Sequence, residues 1–485
     1  METTLKYSLI AAGILLASAA QAATIDAKTL VGASTPLQTA QYGVRNYSAP
    51  VLTGGLHDPA NYAAAPKLPV WQFASADPTG GVLTFERDSA PVTGWHAQTR
   101  KTPVLVTGGG SATANRIYTV YNGQQLVAAI NEAGNEPKII RVIGHIDLRW
   151  SQNNTVFKEY TSYSDQKLGG SISIPSNTTL VGINDAQGRP ARITGTSLLI
   201  GGELPLTAGG DPETDFKKWI ADGKDGDDYP TWTRNVIVRN LVLDTPWDVN
   251  PEDSANAYAD GLTVSRGQNI YLDHLTISDG DTPDSLAVSP YTTRHDGALD
   301  VVRGSDYVTI ANSYFGKHHK TTLVGNGDSG RAWSDEGRMH VTFTGNWWNG
   351  ATTRLPLNRY GQVHLFNNLV SGSVSTTDAD VKFESGSDAR YHSNMLVENN
   401  YYNLTGLKLS EFCGKVIKGK DYTGFRSSGH VFVSDKSGTN LVDGQCGLAP
   451  PSAANQWAPP YVYTLQTATA AQTSVQANAG AGKLK

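Results

Sequence analysis

Strand patterns recur along this chain with no long helix between them, and that recurrence limits what the chain can fold into. RNVIVRNLVLDTP, QNIYLDHLTISDG, DYVTIANSYFGK, MHVTFTGNWWNG, QVHLFNNLVSG and NMLVENNYYNL align so that Val236, Ile270, Val308, Val341, Val363 and Met395 occupy one equivalent position. The shortest interval, Val341 to Val363, is about one coil of a solenoid, and the longer intervals hold a coil plus a loop. The runs are near-continuous in apolar residues, as expected of parallel strands that face a core. A propeller or an antiparallel sandwich needs tight two-residue hairpins, and those signals are missing between the runs. The expectation is an all-β parallel β-helix with long loops. Gly supplies 50 of 485 residues, which suits a chain of many turns.

Five residues beyond the aligned position, the last three repeats carry Asn346, Asn368 and Asn400. An asparagine at the same turn of each coil is expected to stack into an internal ladder, its amide satisfying backbone groups of the next coil. GQQLVAAINEAG reads as a short helix with Leu126, Ala129, Ile130 and Ala133 on one face. The Pro- and Ala-rich C-terminus is expected to cover the open end of the solenoid, where strand edges need protection.

The N-terminus, METTLKYSLIAAGILLASAAQAATID, reads as a secretory leader cleaved after Ala22, with Ala20-Gln21-Ala22 as the small-residue site. Residues 23–102 then form an extension expected to pack on the main domain, residues 103–485. Export to the extracellular space or the periplasm follows, with no membrane attachment once the leader is removed. In that setting Cys413 and Cys446, the two cysteines of the chain, form either a disulfide or a pair of buried thiols. The formal net charge of −5 argues against a nucleic-acid partner. It leaves room for a local cationic cleft.

The chemistry-bearing residues concentrate between Asp260 and Arg359. Asp260 precedes the strand pattern at Ile270, and Asp296 and Asp300 precede the next, at Val308. Coils of a β-helix lie about 4.8 Å apart, so residues at equal heights converge. Converging carboxylates repel unless a cation lies between them, and an all-oxygen set suits Ca²⁺. Taken singly, each aspartate is an ordinary solvated turn residue. Lys320, Arg354 and Arg359 follow, and singly they are ordinary surface charges. Together, opposite a calcium site, they suit a substrate rich in carboxylates. KDGDD (224–228) lacks the spacing of a calcium-binding loop and reads as a turn. Adjacent Trp347 and Trp348 point to opposite faces of a strand, one into the core. His274, His295, His318 and His319 are candidates for metal binding or proton movement, His274 more simply for a structural hydrogen bond.

In this order, PWDVNP, IYLDH, HDGALD, SDYVTI, HHKTTLVG, RLPLNR with YGQVH, and AGAGK resemble the pectate lyases of polysaccharide lyase family 1, from roughly Pro103 to the C-terminus. The resemblance implies a right-handed parallel β-helix and calcium-dependent β-elimination of polygalacturonate by a monomer. It implies Asp260, Asp296 and Asp300 as Ca²⁺ ligands, Arg354 as the base, and Lys320 and Arg359 as substrate-binding cations. Leu357 stands where many relatives carry arginine. Tyr258 stands where some carry a further acid, which implies a calcium shell completed by substrate carboxylates. Related pectin lyases, which act on methyl-esterified substrate, lack the aspartate set. Arginine holds its proton to about pH 12.5 or above, so an arginine base predicts an alkaline activity optimum. A polygalacturonase-type hydrolase and a non-catalytic β-helix that binds acidic polysaccharide are the rival readings. The hydrolase would need acids that position a water, and the Lys–Arg–Arg set does not supply them.

Overall fold

The structure, a computed structural model, describes residues 85–148, 171–185, 187–201, 206, 210–248, 260–287 and 293–484. The leader and most of the N-terminal extension lie outside these residues, as does Tyr258. The strands stack into three parallel ladders. The first runs from Ile117–Val120 and Lys138–Ile143 through Thr178–Ile183 to Asn394–Glu398 and Gly424–Ser428. The second runs from His145–Asp147 to His430–Ser434, and the third from Ser171–Ile174 to Ile417–Gly419. One turn through all three ladders is one coil, which is the parallel β-helix that the sequence predicts.

The expected alignment is the observed register. Val236 pairs with Ile270, Ile270 with Val308, Val308 with Val341, Val341 with Val363, and Val363 with Met395. All six are fully buried in one continuous core. Each contributes roughly 1.5–3 kcal/mol of apolar burial, and a one-residue slip would turn the whole file outward.

The corner between the first and second ladders explains the recurrent asparagines. The chain turns there on one left-handed residue per coil: Asn240, His274, Asn312, Gly345, Asn367 and Asn399, with φ between 46° and 68°. Asparagine and glycine adopt that conformation most readily. The next residue turns inward. Ser313 N donates to Asn346 Oδ1 (2.9 Å), Asn346 N to Asn368 Oδ1 (2.8 Å), Asn368 N to Asn400 Oδ1 (2.9 Å), and Asn400 N to His430 Nδ1 (3.0 Å). The predicted ladder therefore exists, and His430 extends it by one coil.

The ends are closed by other means than expected. The helix Gly123–Asn131, capped by Asn122 Oδ1 on Gln125 N (3.0 Å), seats Leu126, Ala129 and Ile130 in the main core over the first coil. At the far end Gly438–Val442 pairs antiparallel with His430–Ser434. The C-terminal segment instead runs back along the flank. Tyr461 Oη meets Thr342 Oγ1 (2.8 Å) and His364 Nδ1 (2.9 Å), and Gly480 N and Gly482 N donate to Asn312 O (2.8 Å) and Asn240 Oδ1 (2.7 Å). The left-handed corner residues leave polar groups outside the coil, and the tail satisfies them. On the same side, residues 85–110 lie over the first ladder. Asn269 Nδ2 donates to His96 O (2.9 Å) and Gln98 O (2.8 Å), and Asn235 Oδ1 accepts from Gly108 N (2.9 Å). A Cβ on Gly109 would lie 1.8 Å from Lys138 O, so this approach requires glycine there. Cys413 and Cys446 are joined, with an S–S distance of 2.11 Å, which decides the choice left open by the sequence.

Candidate active site

The third ladder carries the chemistry. Its rungs align Thr263 with Asp300, Asp300 with Leu323, Leu323 with Leu357, and Leu357 with Asp388. The neighbouring residues Leu299, Val301, Val324 and Ala389 face the core, so alternation turns this file to the outer surface. Asp260 lies two residues before the strand Leu262–Ser265. Its Oδ1 accepts from Gly297 N (2.8 Å) and its Oδ2 from Thr263 Oγ1 (2.8 Å). Asp300 Oδ1 accepts from Leu323 N (3.0 Å). Gly297 separates the two acids: its N–H serves Asp260, and a Cβ there would lie 2.5 Å from Asp300 Oδ1.

Asp260 and Asp300 are both buried, at 6% and 7% exposure. Among the described residues no basic side chain forms an ion pair with either. Burial, then the Asp296 carboxylate, pushes Asp260 up to about 7. Burial and the charges of Asp260 and Asp296 push Asp300 well above the usual carboxylate range, while the Arg354 guanidinium pulls the other way. Two buried like charges raise each other in this manner when nothing cationic lies between them. Asp296 stands at the rim, half-exposed, and its Oδ1 accepts from Lys320 Nζ at 3.2 Å. Among the described residues no three His, Cys, Asp or Glu side chains are grouped closely enough to hold a metal ion. The expected convergence of three acids is thus two buried carboxylates and a third turned to lysine. The buried pair fits a hard divalent cation by its chemistry, because oxygen donors without a counter-charge gain most from one. Further donors would have to come from Asp296 on turning, from water or from substrate.

Lys320 lies in the strand Tyr314–Val324, level with Gly297 on one side and Thr353 on the other. Arg354 follows Thr353, with φ of +61°, and its carbonyl accepts from Thr322 N (3.0 Å). Lys320, Arg354 and the three acids therefore share one face of four successive coils. Arg359 lies just past the strand Leu357–Asn358 of that ladder. Its Nε donates to Asp328 Oδ1 (2.7 Å) and its Nη1 to Gly325 O (3.1 Å), so in this structure it is engaged on the loop after Val324.

The histidine run braces the site. Buried His318 directs Nδ1 at the Asp279 carboxylate and Nε2 at the Asp296 carbonyl (2.7 Å). Both partners are acceptors, so the ring donates twice as an imidazolium. Burial opposes that charge, but Asp279 outweighs it and raises the His318 pKa. Asp279 also accepts from Thr245 Oγ1 (2.7 Å), and His295 Nε2 meets Thr282 O at 2.7 Å. The sequence reading did not single out Asp279, Gly297 or Thr263. Asp279 looked like one more turn residue in SDGDTPD, and only the fold sets it against His318. His274 Nδ1 meets Asp273 Oδ1 (2.8 Å), the structural bond expected. KDGDD is an ion-paired turn: Asp227 accepts from Arg338 (2.9 Å), and Asp228 from Lys101 (2.8 Å). Trp348 is buried in the core, and Trp347 packs edge-on to Tyr314 outside it.

A family model described as pectate lyase matches residues 77–208 and 214–484. Pectate lyase A of Dickeya chrysanthemi is 35% identical over 410 residues, covering 82% of this chain and 90% of that protein. Pectate lyase E of Dickeya dadantii is 32% identical over 437 residues, covering 87% and 94%. Among solved structures, the thermostable pectate lyase PL 47 superposes with a TM-score of 0.66 at 25% identity, covering 84% of this chain and all of that one. A pectate lyase bound to a hexasaccharide gives 0.65 at 24% identity, which bears on the fold alone. A match across most of the chain, on a solenoid that gathers acids and bases on one face, makes this protein a member of the pectate lyase family and a polysaccharide lyase.

Proposed function

We propose that this chain is a secreted, calcium-dependent pectate lyase that cleaves de-esterified polygalacturonate by β-elimination. The observation that carries the reading is the pair of buried, uncompensated carboxylates, Asp260 and Asp300, beside Lys320 and Arg354. Asp260 and Asp300, joined by Asp296, are the residues that would hold Ca²⁺. A bound calcium ion supplies Lewis-acid neutralisation of the substrate carboxylate. Lys320, released from Asp296, adds a compact positive charge to the same carboxylate as negative charge builds on it. Arg354 takes the proton from C5 of the uronate; that electron pair forms the C4–C5 double bond, and the C4–O bond breaks with its electrons leaving on the oxygen, which takes a proton from solvent. Arg359 binds a neighbouring uronate after exchanging Asp328 for it. No nucleophile and no added water enter the cleavage. Retention of the aspartate set favours free carboxylates over methyl esters. Export is supported by the leader sequence and by the Cys413–Cys446 bridge, which suits an oxidising compartment. Among the described residues no helix is long and apolar enough to cross a membrane.

Incubation with polygalacturonate, followed by ultraviolet absorbance of the conjugated product, tests this. Absorbance that rises with calcium and stops with a chelator supports the proposal. Reducing ends without absorbance indicate a hydrolase, and binding with neither indicates a non-catalytic module.

A further inference from the structure

All three acids of the site meet at one peptide unit, the link between Asp296 and Gly297. Asp296 supplies its carbonyl, which accepts from His318 Nε2 at 2.7 Å. Gly297 supplies its N–H, which donates to Asp260 Oδ1 at 2.8 Å. A Cβ on Gly297 would stand 2.5 Å from Asp300 Oδ1, so the third acid abuts the same unit. The peptide thus lies between a buried ring that donates and a buried carboxylate that accepts. Hydrogen bonds in such a chain polarise one another: a donor on the carbonyl makes the N–H beyond it a better donor. Behind the ring, Asp279 takes the other N–H of His318 and is itself held by Thr245 Oγ1 (2.7 Å). The chain from Asp279 through His318 and the peptide to Asp260 is buried throughout, apart from the Asp296 side chain. Its neighbours are fixed as well. Gly261 N donates to Gly297 O at 2.8 Å, and Thr263 Oγ1 holds the second oxygen of Asp260 at 2.8 Å. The Asp296 carboxylate, by contrast, stands half-exposed at the rim on Lys320.

We propose that His318, oriented by Asp279, is a positioning residue of the calcium seat, fixing Asp260 and the backbone of Asp296 through the Asp296–Gly297 peptide before the metal arrives. This rests on the calcium-dependent reading and deepens it. The ring touches neither substrate nor metal; it acts through the peptide. The consequence is a division of labour between two ligands. Asp260 is a fixed one, held at both oxygens. Asp296 is a hinged one, whose carboxylate turns from Lys320 to the cation about an anchored backbone. A ligand already in place loses less conformational freedom on binding. Outer partners of this kind change metal affinity by about 10–100-fold.

The test uses the different reach of two amides. The side-chain N–H of asparagine reaches as far as a histidine Nδ1, and that of glutamine as far as Nε2. His318→Asn therefore keeps a donor for Asp279 and loses the one for Asp296. His318→Gln combined with Asp279→Asn keeps the donor for Asp296 and strands no buried carboxylate at position 279. Calcium binding is read by calorimetry on substrate-free protein, so cleavage plays no part. His318→Asn should weaken calcium binding about tenfold or more, and the double variant should stay within about threefold of the parent. Equal affinity in all three proteins, or equal loss in both variants, overturns the proposal. Should either variant fail to fold, hydrogen exchange on the parent in chelator decides. The Gly297 amide should be protected as strongly as that of Gly261, and faster exchange at Gly297 overturns the proposal. A parent that takes no calcium sinks the calcium-dependent reading and this inference with it. A parent that takes calcium, with both variants matching it, sinks the positioning role alone.

Discussion

The first and third ladders bury aspartates to the same degree and treat them in opposite ways. Under the first ladder's covering segments, Asp273 and Asp306 are 6% and 0% exposed. Burial pushes both up, but His274 with Arg239, and His340 with Arg338, outweigh it and hold both carboxyls below their ordinary range. On the third ladder Asp260 and Asp300 have backbone and hydroxyl donors but no cationic partner of that kind, and they rise. The same fold thus carries carboxylates that support it and carboxylates that strain it. Groups whose environment works against their charge mark a functional site more often than a structural one.

The sharpest way to break that contrast is to neutralise one acid from each ladder. Asp300→Asn should lower turnover of polygalacturonate by a hundredfold or more while leaving thermal stability equal or higher, since it removes repulsion. Asp306→Asn should do the reverse, costing about 3 kcal/mol because it strands partly exposed His340 and buried Arg338 beside it, with turnover per folded molecule largely kept. Denaturant melts and specific activity on the same samples decide it. Loss of stability in Asp300→Asn together with full activity would erase the distinction.

The pH dependence of stability should also differ by ladder. A carboxyl whose folded pKa is raised stabilises the fold while protonated; that contribution is full below its unfolded pKa and is lost as pH rises through the folded value. For Asp260 the window runs from the ordinary range near 4 up to about 7. The depressed pair, Asp273 and Asp306, contribute above the ordinary range and lose that contribution as pH falls through their folded values. In chelator, the parent should therefore lose roughly 2–4 kcal/mol relative to Asp260→Asn between pH 4 and pH 7. Parallel stability curves for the two proteins would contradict this.

A smaller effect is expected at Gly297, where a methyl group would sit 2.5 Å from Asp300 Oδ1. Gly297→Ala should displace that carboxylate and lower kcat/KM about tenfold, with under 1 kcal/mol lost in a melt. Unaltered kinetics would mean that the carboxylate position does not matter.

The scaffold was legible in the sequence because its information is periodic. The file from Val236 to Met395 and the Asn346–Asn368–Asn400 ladder repeat once per coil, and repetition survives loops of any length. The site was legible as residue types but not as pairings. Motif resemblance pointed to Asp296, Lys320 and Arg359. Their contacts with one another and with Asp328 depend on rotamers and loop paths that no spacing encodes. The C-terminal tail was misplaced for a related reason. Its Pro- and Ala-rich composition marks a covering segment, but which surface it covers is set by corner residues such as Asn240 and Asn312, far away in sequence.

The central claim is that Asp260 and Asp300 form a seat for a divalent cation within a fold they otherwise burden. Thermal unfolding near pH 8, with and without calcium, on the parent and on Asp300→Asn tests it directly. At a hundredfold excess over its dissociation constant, calcium should stabilise the parent by roughly 2.7 kcal/mol, seen as a rise in Tm, and should leave Asp300→Asn where it was. An equal calcium shift in both proteins, or none in the parent, would contradict it.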